Sequence, residues 1–304
     1  MKLVFSLLGR KPTYKAGLII ICILFAPICE AQSNINKAMV VRYWYKDLPT
    51  RETYQFALLK LVLEKTIPSH GPYVLIKSTE DFPVQRSYVE LKDGNNINVV
   101  ASSGEHDLDR MGNEVTTTIK KPILFGLLGY RRLLIRGEDQ IKFNKITTLE
   151  ELHSKVIGQG QYWVENRIYE ENGFRLVTGT KLPQLINMLQ AKRFDFLPLG
   201  VIEIDDILKE TQKRQLDIKI AKNILLFYPH PVYFKVSIRH PELAERISLG
   251  LDIVKQDGSL KNLFEQHFSE ELKSIREKET RVFILKGLTT DTEINLAEPS
   301  LLKR

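Results

Sequence analysis

The chain has 304 residues, with 44 Lys and Arg against 37 Asp and Glu, and a formal charge of +7. Residues 1–31 hold four basic residues and Glu30, a net +3 of that +7, which leaves +4 for the rest. So small an excess, with acidic residues interspersed throughout, excludes a nucleic-acid surface, and the pairs Lys120-Lys121 and Arg131-Arg132 read as solvated strand ends rather than a phosphate track.

Lys2, Arg10, Lys11 and Lys15 form a basic region ahead of an apolar run over residues 16–28 and the small residue Ala31, the layout of a secretory signal peptide. The run is shorter than the about 20 residues of a membrane span. Cleavage is expected after Ala31, and Ile28 in front of Cys29 argues against lipidation. Both cysteines, Cys22 and Cys29, fall in the segment to be removed. The exported chain, beginning near Gln32, then has no thiol, which excludes cysteine nucleophiles and thiolate metal sites and leaves the hydrophobic core to hold the fold.

The remaining length suits two lobes of ordinary domain size. Residues 38–44 read as a buried first strand rich in β-formers. Residues 50–65 place Tyr54, Ala57, Leu58, Leu61 and Val62 on one helical face, with Thr50 as N-cap. Gly71-Pro72 ends that unit, and residues 73–77 alternate as a second strand, so the order strand, helix, strand predicts a partly parallel sheet. A helix over 84–91 and a strand over 98–101 follow. The strand's C-terminal end delivers Ser102, Ser103 and Gly104 to the place where ligands sit in open α/β sheets. Arg110 comes next, either a guanidinium at the rim of that crevice or a surface arginine paired with Asp107 or Asp109.

Residues 110–135 change character. A Thr-rich segment gives way at Pro122-Ile123 to an apolar run broken only by Gly126, Gly129 and the Arg131-Arg132 pair, which reads as a crossing from one folded unit into another. Residues 147–152 carry a capping-box signature. Residues 156–163 read as a strand running into a turn that contains Gly158 and Gly160, followed by a helix over 164–172 that ends at Gly173. A helix over 181–191 and a strand within 192–200 come next. Glu203 then reads either as a site carboxylate or as part of an exposed helical face with Asp205 and Asp206. Residues 223–236, with Tyr228-Pro229-His230-Pro231 inside, are the return crossing, because two prolines suit a hinge better than a central strand. A helix from Pro241, an Asp257-Gly258 turn and a helix over 260–268 close the pattern. The tail from Thr280 is expected to wrap the first lobe or fray.

Catalytic patterns are absent from the sequence: there is no Gly-x-Ser-x-Gly elbow, phosphate loop or His-Glu-x-x-His. The six histidines, at 70, 106, 153, 230, 240 and 267, lack metal-ligand spacing. No cofactor and no metal are expected. Trp44 and Tyr45 at the end of the first strand and Trp163 on the second-lobe turn suit the walls of a small-ligand site. Core packing claims Tyr43 or Trp44, because adjacent strand residues face opposite ways.

The order of these features resembles that of the extracytoplasmic solute-binding proteins of the polar amino acid transporter type, solute-binding protein family 3. The resemblance is carried by the 110–135 crossing, by Thr148 to Leu152, by Lys192-Arg193-Phe194-Asp195-Phe196 and most specifically by Pro241-Glu242-Leu243 with Asp257-Gly258. A subgroup without an assigned ligand shares the Gly126-Leu127-Leu128-Gly129-Tyr130-Arg131 crossing and the Arg193-Phe194-Asp195 strand. The resemblance implies an α/β, two-lobed type II periplasmic-binding-protein fold with two interlobe crossings. Residues 1–31 would be the signal peptide, 131–226 the second lobe, and 32–130 with 227–304 the first. It implies that Arg110 holds a ligand carboxylate, although Asp107-Leu108-Asp109 stands where the family has Thr-x-Glu. It implies that the turn at Gly160 offers backbone N–H groups to an anion, with Gln161 in place of the usual hydroxyl residue. Trp44, Tyr45, Ser103, Trp163 and Glu203 would face the same crevice.

Where amino-acid binders of this type carry an acid, the chain has Gly200, with Glu203 the nearest carboxylate, so an amino acid is not carried over as the ligand. The implied function is that of a monomeric periplasmic binding protein, not an enzyme, which closes around a small polar or anionic solute and delivers it to a membrane permease complex. A sensing module for a membrane signalling partner and a lyase- or dehydratase-like enzyme are the other functions the same fold serves.

Overall fold

The computed structural model describes residues 38–44, 49–78, 84–103, 115–288 and 301. In chain order the strands are β1 (Met39–Trp44), β2 (Tyr73–Ser78), β3 (Val99–Ser103), β4 (Thr116–Thr118), β5 (Tyr130–Arg136) and β6 (Val156–Gly160). They continue with β7 (Arg175–Gly179), β8 (Phe196–Gly200), β9 (Ile218–Ile220), β10 (Ile224–Phe227), β11 (Val232–Ser237) and β12 (Arg281–Ile284).

Two sheets result. The first has the order β2-β1-β3-β11-β4, with β2, β1 and β3 parallel and β11 antiparallel to both its neighbours. Helix Pro49–Lys65 joins β1 to β2 and buries Tyr54, Leu58 and Val62 in the main core beside Tyr43 and Phe234. This sheet is covered on both faces. Tyr43 therefore enters the main core while its neighbour Trp44 turns to the other face, into a buried cluster with Leu91, Ile97, Val100 and Val115. The expectation that only one of the two belongs to the core gives way to burial of both.

The second sheet has the order β12-β10-β5-β8-β6-β7, with β9 also on β5. Alternation along β5 sends Leu133 and Ile135 into one core with Ile157, Tyr169 and Phe196, and Leu134 into another with Leu185 and Leu197. The capping box forms, with the Thr148 side chain accepting from the Glu151 N–H and the Glu151 carboxylate accepting from the Thr148 N–H. The tail departs from expectation in part, since Leu301 does pack into the main core, where its carbonyl accepts from Arg276 Nε at 2.8 Å. Residues 281–284 neither wrap the first sheet nor fray, but run parallel to β10 as the edge of the second sheet. Burial of Phe283 and Leu285, together with bonds from Arg281 to the Asn144 carbonyl and between Asn172 and the Lys286 backbone, holds them there.

The chain passes between the sheets twice, through residues 119–129 before β5 and through residues 228–231 between β10 and β11. The two crossings lie side by side. Leu226 pairs with Arg131 and Phe227 with Tyr130, the Tyr228 N–H donates to the Gly129 carbonyl at 3.2 Å, and the Tyr130 and Phe227 rings are 4.6 Å apart. Gly126 is left-handed at φ 79°, and a methyl group at Gly129 would overlap the Tyr228 carbonyl oxygen, so a side chain is disfavoured at both glycines.

Candidate functional site

A cavity of 220 Å³ opens where the strand ends of the two sheets meet. From the first lobe it is walled by Arg51 and Gln55 on the first helix, by Ser102 and Ser103 at the end of β3, and by Val232. The second lobe supplies Arg131, Glu203 and the stretch Tyr162 to Glu165, and His230 on the return crossing completes it. Among the described residues the buried Nε of Arg51 and Oγ of Ser102 have no hydrogen-bond partner. Both are donors on residues that line a polar cavity, where an entering solute can complete them.

The sequence-predicted residues divide. Ser103, Trp163 and Glu203 line the cavity, and Gly160 sits beneath it. Trp44 does not, being buried on the far face of the first sheet. Arg110 and Tyr45 lie outside the described residues. Gly160 carries no side chain because the Trp163 indole lies flat against it, where any Cβ would overlap the ring. The turn behind them is already hydrogen-bonded: Gln161 N–H donates to the Gly179 carbonyl and Trp163 N–H to the Gly160 carbonyl. Two of the turn's N–H groups are therefore taken up within the protein.

Arg131 is the main correction. Read from sequence as a solvated strand end, it is 5 % exposed and forms the polar centre of the second-lobe wall. Its Nη2 donates to Glu165 at 2.8 Å, its Nη1 lies 3.7 Å from Glu203, and its guanidinium stands 5.3 Å from the Tyr228 ring centre. Burial by itself would raise the Glu165 carboxyl, but Arg131 and then His230 hold it below the ordinary value, with a further bond from its own backbone N–H. Burial also pushes the Tyr169 and Tyr228 hydroxyls above their ordinary value, so both stay neutral.

Glu203 takes neither of its two sequence readings in pure form. It is half exposed, yet its carboxylate bends back to accept from the Gly200 N–H at 2.9 Å. A Cβ on Gly200 would lie 3.1 Å from its Oε1, so the Glu203 carboxylate stands next to the place a side chain at position 200 would occupy. With one cation and two carboxylates, the second-lobe wall is net acidic. Arg51 is the cation of the first-lobe wall among the described residues.

Arg51, Arg131 and Glu165 were not found as site residues from sequence. Arg51 is one basic residue on an otherwise ordinary helix. The partnership of Arg131 with Glu165 spans 34 positions, and no local pattern announces it. Among the described residues no cluster of three or more His, Cys, Asp or Glu could hold a metal, and no helix is long and apolar enough to cross a membrane.

The arrangement of two sheets joined by two adjacent crossings, with a polar cavity between them, defines the two-lobed type II periplasmic-binding-protein fold. Comparison with solved structures agrees. A probable amino-acid ABC transporter extracellular-binding protein, ytmK of Bacillus subtilis, superposes with a TM-score of 0.55 at 18 % identity, over 77 % of this chain and 100 % of that one. The GluR0 ligand binding core in complex with L-glutamate superposes with a TM-score of 0.50 at 13 % identity, over 76 % and 98 % of the two chains. No family model and no curated protein matches the sequence. At these identities the likeness establishes the fold.

Proposed function

We propose that this chain is an extracytoplasmic solute-binding protein whose lobes close around a small polar solute. Arg51 takes the solute's anionic end, Ser102 and Ser103 add hydroxyls beside it, and Glu203 receives a hydrogen-bond donor or cationic group from the other side. The observation that carries this reading is the division of charge across one cleft: a first-lobe cation with an unpartnered donor faces an acidic second-lobe wall. Opposed charges of this kind select a dipolar molecule and draw the lobes together once it bridges them. Arg110, which follows β3 in the chain, is a second candidate cation for the same solute, and Tyr45 a further wall. Residues 1–31 act as a cleaved signal peptide, the protein works as a periplasmic monomer, and a membrane permease complex receives the solute.

Native mass spectrometry of protein purified without refolding tests the reading. A single small molecule bound in stoichiometric amount, and lost from Arg51→Ala, is the expected result. A polypeptide that carries nothing under conditions gentle enough to keep weak complexes, or a bound molecule that is chemically converted with time, would contradict it.

A further inference from the structure

Next to the interlobe cleft a further cavity, of 330 Å³, runs from Arg51 into the second lobe, and the solute-binding reading uses only its mouth. Arg51, Arg131, Trp163, Glu165 and Glu203 belong to the walls of both, so the two spaces meet at a polar gate formed by Arg51 and the Arg131 ion pair. Past that gate the character changes. Leu182 from one helix, Ile207 from the next, and Pro198 and Leu199 at the end of β8 make apolar walls. At the inner end stand Tyr169 and Gln159.

Gln159 is 1 % exposed, and its Oε1 has no hydrogen-bond partner among the described residues. An amide end buried beside Tyr169 without a partner is destabilising unless something completes it. Leu or Val would fill that strand position at no such cost. A buried polar group in an otherwise apolar chamber fixes the orientation of what enters.

Resting on the solute-binding reading above, we propose that the solute is bipartite. Its compact charged head sits in the cleft on Arg51 and Glu203. An uncharged, largely apolar arm passes Arg131 into the second-lobe cavity and ends in a hydroxyl or amide that bonds Gln159. The neutral Tyr169 hydroxyl serves the same end of the arm. Arg131 then acts in two ways, since its pair with Glu165 fixes the gate between the two spaces, while its longer contact to Glu203 leaves that carboxylate able to turn toward the head.

Matched probes separate head from arm. Calorimetric titration with propionate against 3-(4-hydroxyphenyl)propionate, and with L-alanine against L-tyrosine, compares molecules that differ only by the arm. The arm-bearing member of at least one pair should bind ten times more tightly or better. Leu182→Trp, which fills the cavity, should abolish that gain and leave the short probe unaffected. Ile207→Phe, from the facing helix, is the second variant should Leu182→Trp melt early. Gln159→Leu should erase the preference for L-tyrosine over L-phenylalanine.

Equal affinities within each pair, or a gain that survives both filling variants in folded protein, would overturn the bipartite solute while leaving solute binding intact. Failure of all four probes would overturn it as well, and the mass of the natively purified protein then decides separately whether the solute-binding reading stands.

Discussion

Arg51 and Glu165 are the two residues on which the cleft chemistry turns, and each makes a separate prediction. Arg51→Ala removes a charge-assisted hydrogen bond to the solute worth about 1.5–3 kcal/mol, so affinity for the copurified solute should fall roughly ten- to hundredfold with little change in melting temperature. Calorimetry and a thermal melt of the unliganded variant check both halves. Glu165 acts on stability. Its folded pKa is depressed, so it contributes stability that is fully present above its unfolded value, 4.5, and is lost as pH falls through the folded value. Glu165→Gln should flatten the acid limb of the stability curve below about pH 4.5 and lower stability at neutral pH by about 3 kcal/mol, because it leaves Arg131 buried with only the distant Glu203. Urea unfolding from pH 3 to 8 reads this out, and parallel curves for parent and variant would refute the assigned pairing. These residues were the least legible from sequence. Ser103, Trp163 and Glu203 follow from strand ends and turns that local patterning places. Arg131 reads as a surface pair with Arg132 because its burial depends on Glu165, which arrives from another element.

At the scale of elements the sequence was far more legible, since strand alternation, capping and glycine stops are local signals. Thr148 and Glu151 announce their capping box, and Pro241, Asp257 and Gly258 mark a helix, a turn and the start of the next helix where the structure has them. Within the tail only Arg281–Ile284 misled, because it has no strand signal strong enough to name its partner and β10 lies far upstream in the chain. Two elements carry predictions. Arg246 on helix Pro241–Gln256 is fully buried and donates to Thr66 Oγ1 at 2.9 Å and to the carbonyls of Leu63 and Gly71, tying that helix to the end of Pro49–Lys65. Arg246→Ala strands those acceptors and opens a cavity, and should cost about 3 kcal/mol without altering the binding of solute to folded protein. Gly129→Ala drives a methyl group into the Tyr228 carbonyl and forces the two crossings apart. It should lower the melting temperature and also change how tightly the lobes close, whereas Arg246→Ala should affect stability alone.

For the whole molecule, two sheets joined by two adjacent crossings put the flexible direction of the fold between the lobes, and the polar cavity lies across it. The backbone at the hinge is held by Tyr228 to Gly129 and by the Tyr130–Phe227 ring contact, so bending there can leave both cores packed. Small-angle scattering on the protein stripped of its copurified solute and then titrated with that solute tests this most directly. A radius of gyration that falls on saturation in the parent, and stays at the unliganded value in Arg51→Ala at the same solute concentration, is what a clamshell anchored on Arg51 predicts. A radius unchanged at saturation, with binding verified in the same sample, would contradict it.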